Sequence, residues 1–149
     1  MREQISKALK EAMQSKDKTE VNTLRLILAA IKDRDISQRN GGDGKISDDE
    51  ILEVLAKMVK QREESARLYE EGARLELAEE ERREIDIIKR FLPAQLNAHE
   101  TETACQQAIS ACGAEGLRDM GRVMGTLKGQ YSGQMDFGKA SGIVKKILS

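Results

Sequence analysis

Apolar residues recur along this chain at three- and four-residue intervals, a spacing that predicts helices from one end to the other. Ile5, Leu9, Ala12 and Met13 mark a first helix over residues 3–14. Asp17 or Thr19 opens a second, with Val21, Leu24, Ile27, Leu28 and Ile31 as its inward stripe. The run Asn40-Gly-Gly-Asp-Gly44 breaks that helix. Ser47 and Glu50 then have the spacing of a capping box, in which hydroxyl and carboxylate satisfy each other's exposed backbone N–H groups. Behind them Ile51, Leu52, Leu55, Met58, Val59 and Arg62 continue a long helix to Gly72, a C-terminal stop. A fourth helix runs from about Arg74 to Phe91, and its Glu79–Glu84 stretch reads as a solvated face.

Pro93 is the single proline, and it pushes Leu92 out of helical geometry. It therefore marks a boundary between a segment 1–93 and a segment 94–149. In the second segment Asn97 and Glu100 form another capping box, opening a helix through Ala104, Ala108 and Ile109 that Gly113 closes. Asp119 caps the next helix, with Val123, Met124 and Leu127 inward. Asp136 caps the last, with Ala140, Ile143, Val144, Ile147 and Leu148 inward. The expected fold is all-α: four helices, a proline hinge and three shorter helices.

Composition agrees with that class. Charged residues make up 34% of the chain, aromatics only 3%, and tryptophan is absent, a profile of helical rather than sheet proteins. The net charge of −1 gives no overall field to attract nucleic acid or membrane. The distribution matters more than the sum. Residues 117–149 hold six cations (Arg118, Arg122, Lys128, Lys139, Lys145 and Lys146) against Asp119 and Asp136. No charged-then-apolar leader is read at the N-terminus, and the most apolar run, Leu24–Ile31, is too short to span a membrane. Cys105 and Cys112 lie too far apart on one helix to bridge, and read as reduced packing residues of a cytoplasmic protein.

Chemistry is harder to find. From Asp43 to Glu50 the chain mimics the second half of a calcium loop, with Gly44, Ile46 and Glu50 at the right positions. Arg39 and Gly41 fall where two carboxylates are needed, which excludes the dication. The one histidine, His99, is six residues from Cys105 and nearly opposite it on a helix, so the two cannot form a nucleophile–base pair. No catalytic constellation, metal site or cofactor motif is visible.

The glycines remain. In Gly121-Arg-Val-Met-Gly-Thr-Leu-Lys-Gly-Gln-Tyr-Ser-Gly133 one recurs at every fourth position, and each inside a helix costs about 1 kcal/mol against alanine. Gly121, Gly125, Gly129 and Gly133 are expected to let a backbone come close. That backbone is a neighbouring helix, with Gly129 and Gly133 as stop and turn, a phosphate chain beside the lysines, or a protein partner. On the packing reading, a leucine at Gly125 overfills the C-terminal bundle.

Asp119-Met-Gly-Arg-Val-Met-Gly125, Gly133-x-x-Asp136 and Ile143-Val-Lys-Lys-Ile-Leu148 resemble the C-terminal module of the GatB/YqeY family. Leu24-Arg-Leu-Ile-Leu-Ala-Ala-Ile-Lys32, Lys60-Gln-Arg-Glu-Glu-Ser65 and Phe91-Leu-Pro-Ala-Gln-Leu96 are similar to its stand-alone YqeY-like proteins. The Asn40–Gly44 insert and Phe91, in place of tyrosine, depart from the pattern. The resemblance implies an N-terminal four-helix bundle followed by a C-terminal three-helix bundle. It also implies kinship with the tail of the GatB component of the tRNA-dependent amidotransferase, which helps engage tRNA. That family carries the description of a carbon–nitrogen ligase using glutamine as amido donor, but the catalytic part of GatB has no counterpart here. The expected function is a non-catalytic, tRNA-associated accessory protein, with Arg118, Arg122, Lys128, Lys139, Lys145 and Lys146 on phosphates. The alternative is a protein–protein docking module for an amidotransferase, a synthetase or another partner.

Overall fold

The computed structural model describes residues 1–38 and 44–149, and all regular structure among them is helical. The helices are α1 (Arg2–Ser15), α2 (Lys18–Ser37), α3 (Asp48–Glu71), α4 (Leu75–Lys89), α5 (Ala98–Cys112), α6 (Met120–Gln130) and α7 (Phe137–Leu148). A single 3-10 turn, Leu117–Asp119, precedes α6. The chain divides into two compact units, Met1–Pro93 and Ala94–Ser149. The glycine run from Asn40 and the calcium-like positions Arg39, Gly41 and Asp43 lie outside the described residues. No helix among the described residues is long and apolar enough to cross a membrane.

Local chemistry sets most helix ends. The Asp17 carboxylate accepts from Glu20 N–H and the Ser47 hydroxyl from Glu50 N–H, so each satisfies a donor that the helix leaves free. At Ser47 the box is only half made: the Glu50 carboxylate meets the Ser47 hydroxyl, at 3.4 Å. Asn97 and Glu100 complete theirs in both directions. Gly113 closes α5 with φ 61°, a left-handed conformation that a side chain would oppose.

In the first unit, α3 and α4 form the most extensive helix pair, and α2 contacts α1, α3 and α4. Ile5, Leu24, Ile27, Ile31, Ile51, Leu55 and Ile88 are buried between these helices. Met13, expected inward, is exposed. The Glu79–Glu84 stretch is only in part the solvated face its charge suggests: Glu79, Arg82 and Arg83 are exposed, whereas Glu80, Glu81 and Glu84 are half-buried. Glu84 accepts from Arg62 Nε at 3.0 Å, with both side chains largely buried. Glu80 accepts from the Thr19 hydroxyl at 3.0 Å. Burial, followed by the neighbouring Glu84 charge, raises the pKa of Glu81. Half of the acidic run thus joins α4 to α2 and α3.

A polar clasp ties three further parts together. Arg2 grips Asp35 with two hydrogen bonds, 2.8 and 2.6 Å, joining the start of α1 to the end of α2. Asp35 also accepts from Ile46 N–H at 2.8 Å, and Arg2 donates to the Ile46 carbonyl at 3.3 Å. The fork geometry of the guanidinium favours such bidentate pairing. First the Arg2 hydrogen bonds and then that of Ile46 hold the Asp35 carboxyl down at about 2.

The clasp and the core of this unit can each be tested. The folded pKa of Asp35 is below its ordinary value of 3.8, so the clasp's contribution is complete above that pH and is lost as pH falls through about 2. Urea unfolding between those limits should show declining stability, and Asp35→Asn should flatten that decline. Thr23 is fully buried on α2, and its hydroxyl has no hydrogen-bond partner. Thr23→Val keeps the branched shape and removes the stranded hydroxyl, and should raise unfolding free energy by about 1 kcal/mol.

Candidate nucleic-acid interface

The second unit brings the six cations and the glycines onto α6, α7 and the turn before α6. Its core is made of small side chains: Ala104, Cys105 and Ala108 from α5, Val123 and Leu127 from α6, and Ala140 and Val144 from α7, with Met135 from the loop. The Cys105 thiol lies 3.8 Å from the Ala140 carbonyl, and burial pushes its pKa up. Ile147, expected inward, is 43% exposed.

Asp119 does not cap α6, contrary to expectation. Its carboxylate turns back to accept from Glu115 N–H at 3.0 Å and Gly116 N–H at 3.4 Å, and receives Arg122 Nη2 at 2.9 Å. Those hydrogen bonds, Glu115's first, lower its pKa. Asp119 therefore organises the 3-10 turn and holds Arg122 against it. Asp136 does cap α7, accepting from Gly138 and Lys139 N–H.

All six cations are exposed. Arg118 stands on the 3-10 turn, Arg122 on the first turn of α6 and Lys128 near its end. Lys139 opens α7, while Lys145 and Lys146 occupy its last turn, where the helix dipole already favours positive charge. Arg122 is paired with Asp119. Arg118, Lys128, Lys139, Lys145 and Lys146 have no ion-pair partner among the described residues.

The glycines do not pack as the intramolecular reading requires. A Cβ built on Gly121, Gly125, Gly129 or Gly142 would meet nothing within 4 Å. Val123 and Leu127 face the core, and the glycines, two positions away, lie about 200° round the helix from them. The overpacking expected of a leucine at Gly125 therefore has nothing to press on. Close approach inside the unit comes from Ala104, Ala108 and Ala140 instead. Gly133 is different: buried in the loop between α6 and α7 with φ 74°, it makes the turn and accepts from the Gln95 side-chain amide.

A repeat becomes visible once the faces are known. Gly121-Arg122-x-x-Gly125-x-x-Lys128 on α6 recurs as Gly138-Lys139-x-x-Gly142-x-x-Lys145 on α7. The buried positions match as well, Val123 and Leu127 against Ala140 and Val144. Aligning the two glycine pairs, rather than following the four-residue period through Gly133, exposes the pattern in the sequence. Among the described residues no group of three or more His, Cys, Asp or Glu is placed to hold a metal ion.

Comparison with known proteins supplies the family. The family model described as Yqey-like protein matches residues 2–148. Several relatives bear the name altered inheritance of mitochondria protein 41, mitochondrial. That of Clavispora lusitaniae is 42% identical over 84 residues, which cover 56% of this chain and 46% of the relative. That of Meyerozyma guilliermondii is 30% identical over 139 residues, covering 89% of this chain and 70% of the relative. That of Candida glabrata is 34% identical over 89 residues, covering 59% and 47%. The match thus spans about half the length of two of these three. The expectation of a cytoplasmic protein is overturned by this comparison, because these relatives are named as mitochondrial proteins. The match along almost its whole length makes this chain a member of the YqeY-like family.

Proposed function

We propose that this chain is a tRNA-associated accessory protein with no chemistry of its own, whose second unit meets the RNA backbone. On this reading the first unit is a four-helix bundle and the second a three-helix bundle, each a domain. One observation carries the proposal: two helices in contact bear cations and bare glycines in one repeated register on their outer faces. Lysines without acidic partners are free to meet phosphates, and a glycine surface lets a phosphate chain approach the helix closely. Scarce aromatics disfavour stacking on unpaired bases and favour reading a folded RNA by shape and charge. The resemblance to the amidotransferase tail makes tRNA the first RNA to try.

A protein partner is the second reading. Leu117 and Ile147, 48% and 43% exposed, place apolar surface beside the same cations. Recovery of a partner that survives nuclease treatment, together with no tRNA binding, would favour it.

The salt dependence of tRNA binding tests the first reading. Affinity should fall steeply between low and moderate salt. Replacing Lys145 and Lys146 together by glutamate should weaken binding roughly tenfold or more, flatten the salt slope and leave helicity unchanged. Absence of binding even at low salt rejects the proposal. The glycines give a separate check. Gly121→Ala and Gly125→Ala should each raise unfolding free energy by up to about 1 kcal/mol, since nothing obstructs the added methyl. Their tRNA affinity should nevertheless fall. Unchanged affinity in the stabilised variants would place the RNA elsewhere.

A further inference from the structure

The first unit leaves one side of α2 uncovered. Thr23, Leu24, Ile27 and Ile31 point inward, while Arg25, Leu26, Ala29, Lys32, Asp33 and Ile36 share the opposite face, an arc of about 120°. Leu26 is 49% and Ile36 53% exposed. Single exposed apolar residues are ordinary, but here leucine, alanine and isoleucine follow one another along one helix face. A solvent-facing helix side is ordinarily polar.

The charges on this face identify what fits it. Arg25 and Asp33 form no ion pair among the described residues. They stand one helical step either side of Ala29, at equal spacing. When two such helices lie antiparallel about a two-fold axis through Ala29, Arg25 of each copy faces the partner's Asp33, and the pair forms twice. Ala29 falls at the crossing point, where a small side chain permits close approach. Leu26 rests along the aliphatic stem of the partner's Lys32. The face is complementary to itself, in charge and in shape, under the symmetry that closes a homodimer.

We infer that α2 pairs with α2 of a second copy, antiparallel about Ala29, in a reversible homodimer. Residues 22–36 span only about 21 Å of helix, so the buried area falls at the small end of specific interfaces. The dimer is accordingly a weak, concentration-dependent one. This surface includes none of the six cations of the second unit, and its test is independent of RNA binding.

Sedimentation of the full chain, nuclease-treated, over a wide concentration range reads the result directly. The mass should rise from monomer toward dimer. Arg25→Asp and Asp33→Arg, which set like charges against each other, should each weaken association about tenfold or more. The double variant R25D/D33R should restore it, with circular dichroism confirming an intact fold in all three. A monomer up to about 1 mM, a dimer indifferent to the single reversals, or a double variant that fails to recover would each overturn the pairing.

Discussion

The second unit depends on small side chains at its centre. Ala104, Ala108 and Ala140, with Cys105 between them, set how near α5, α6 and α7 can lie. A unit this short buries little apolar surface, so it relies on fit and on well-made helix ends. Asn97, Gly113 and Asp136 supply those ends. The buried thiol of Cys105 has its pKa raised and so stays protonated, acting as a packing group.

Because alanines do the close packing, the glycines are released to the outside. There they weaken α6 and α7, and an added Cβ at Gly121, Gly125, Gly129 or Gly142 would meet nothing within 4 Å among the described residues. An outward glycine face is a local inconsistency of the kind that functional surfaces carry. Cations in matching register along it give that inconsistency a direction. The first unit has the opposite character: large isoleucines and leucines at its centre, and polar ties between its helices.

Helix positions and most caps were legible in the sequence because they are local. Ser47, Asn97, Gly113 and Asp136 act through neighbours within a few residues, and period and cap chemistry identify them. Misreadings arose where one pattern served two outcomes. The spacing of Gly121, Gly125 and Gly129 defines a face but not its direction; its offset from Val123 and Leu127 does. Asp119 has the right identity for a cap, yet donors at Glu115 and Gly116 compete for its carboxylate. The hydrogen bonds of Glu80 and Glu84 go to Thr19 and Arg62, distant in sequence, which no local count reveals. The six cations are legible as a cluster, but that five of them lack an acidic partner among the described residues emerges only in three dimensions.

The Arg2–Asp35–Ile46 clasp fastens both ends of the connection from α2 to α3 to the body of the first unit. The ends of that connection are thus fixed independently of what lies between them. One guanidinium and one carboxylate therefore hold the start of α1, the end of α2 and the approach to α3 together, so that losing either side chain would loosen all three at once.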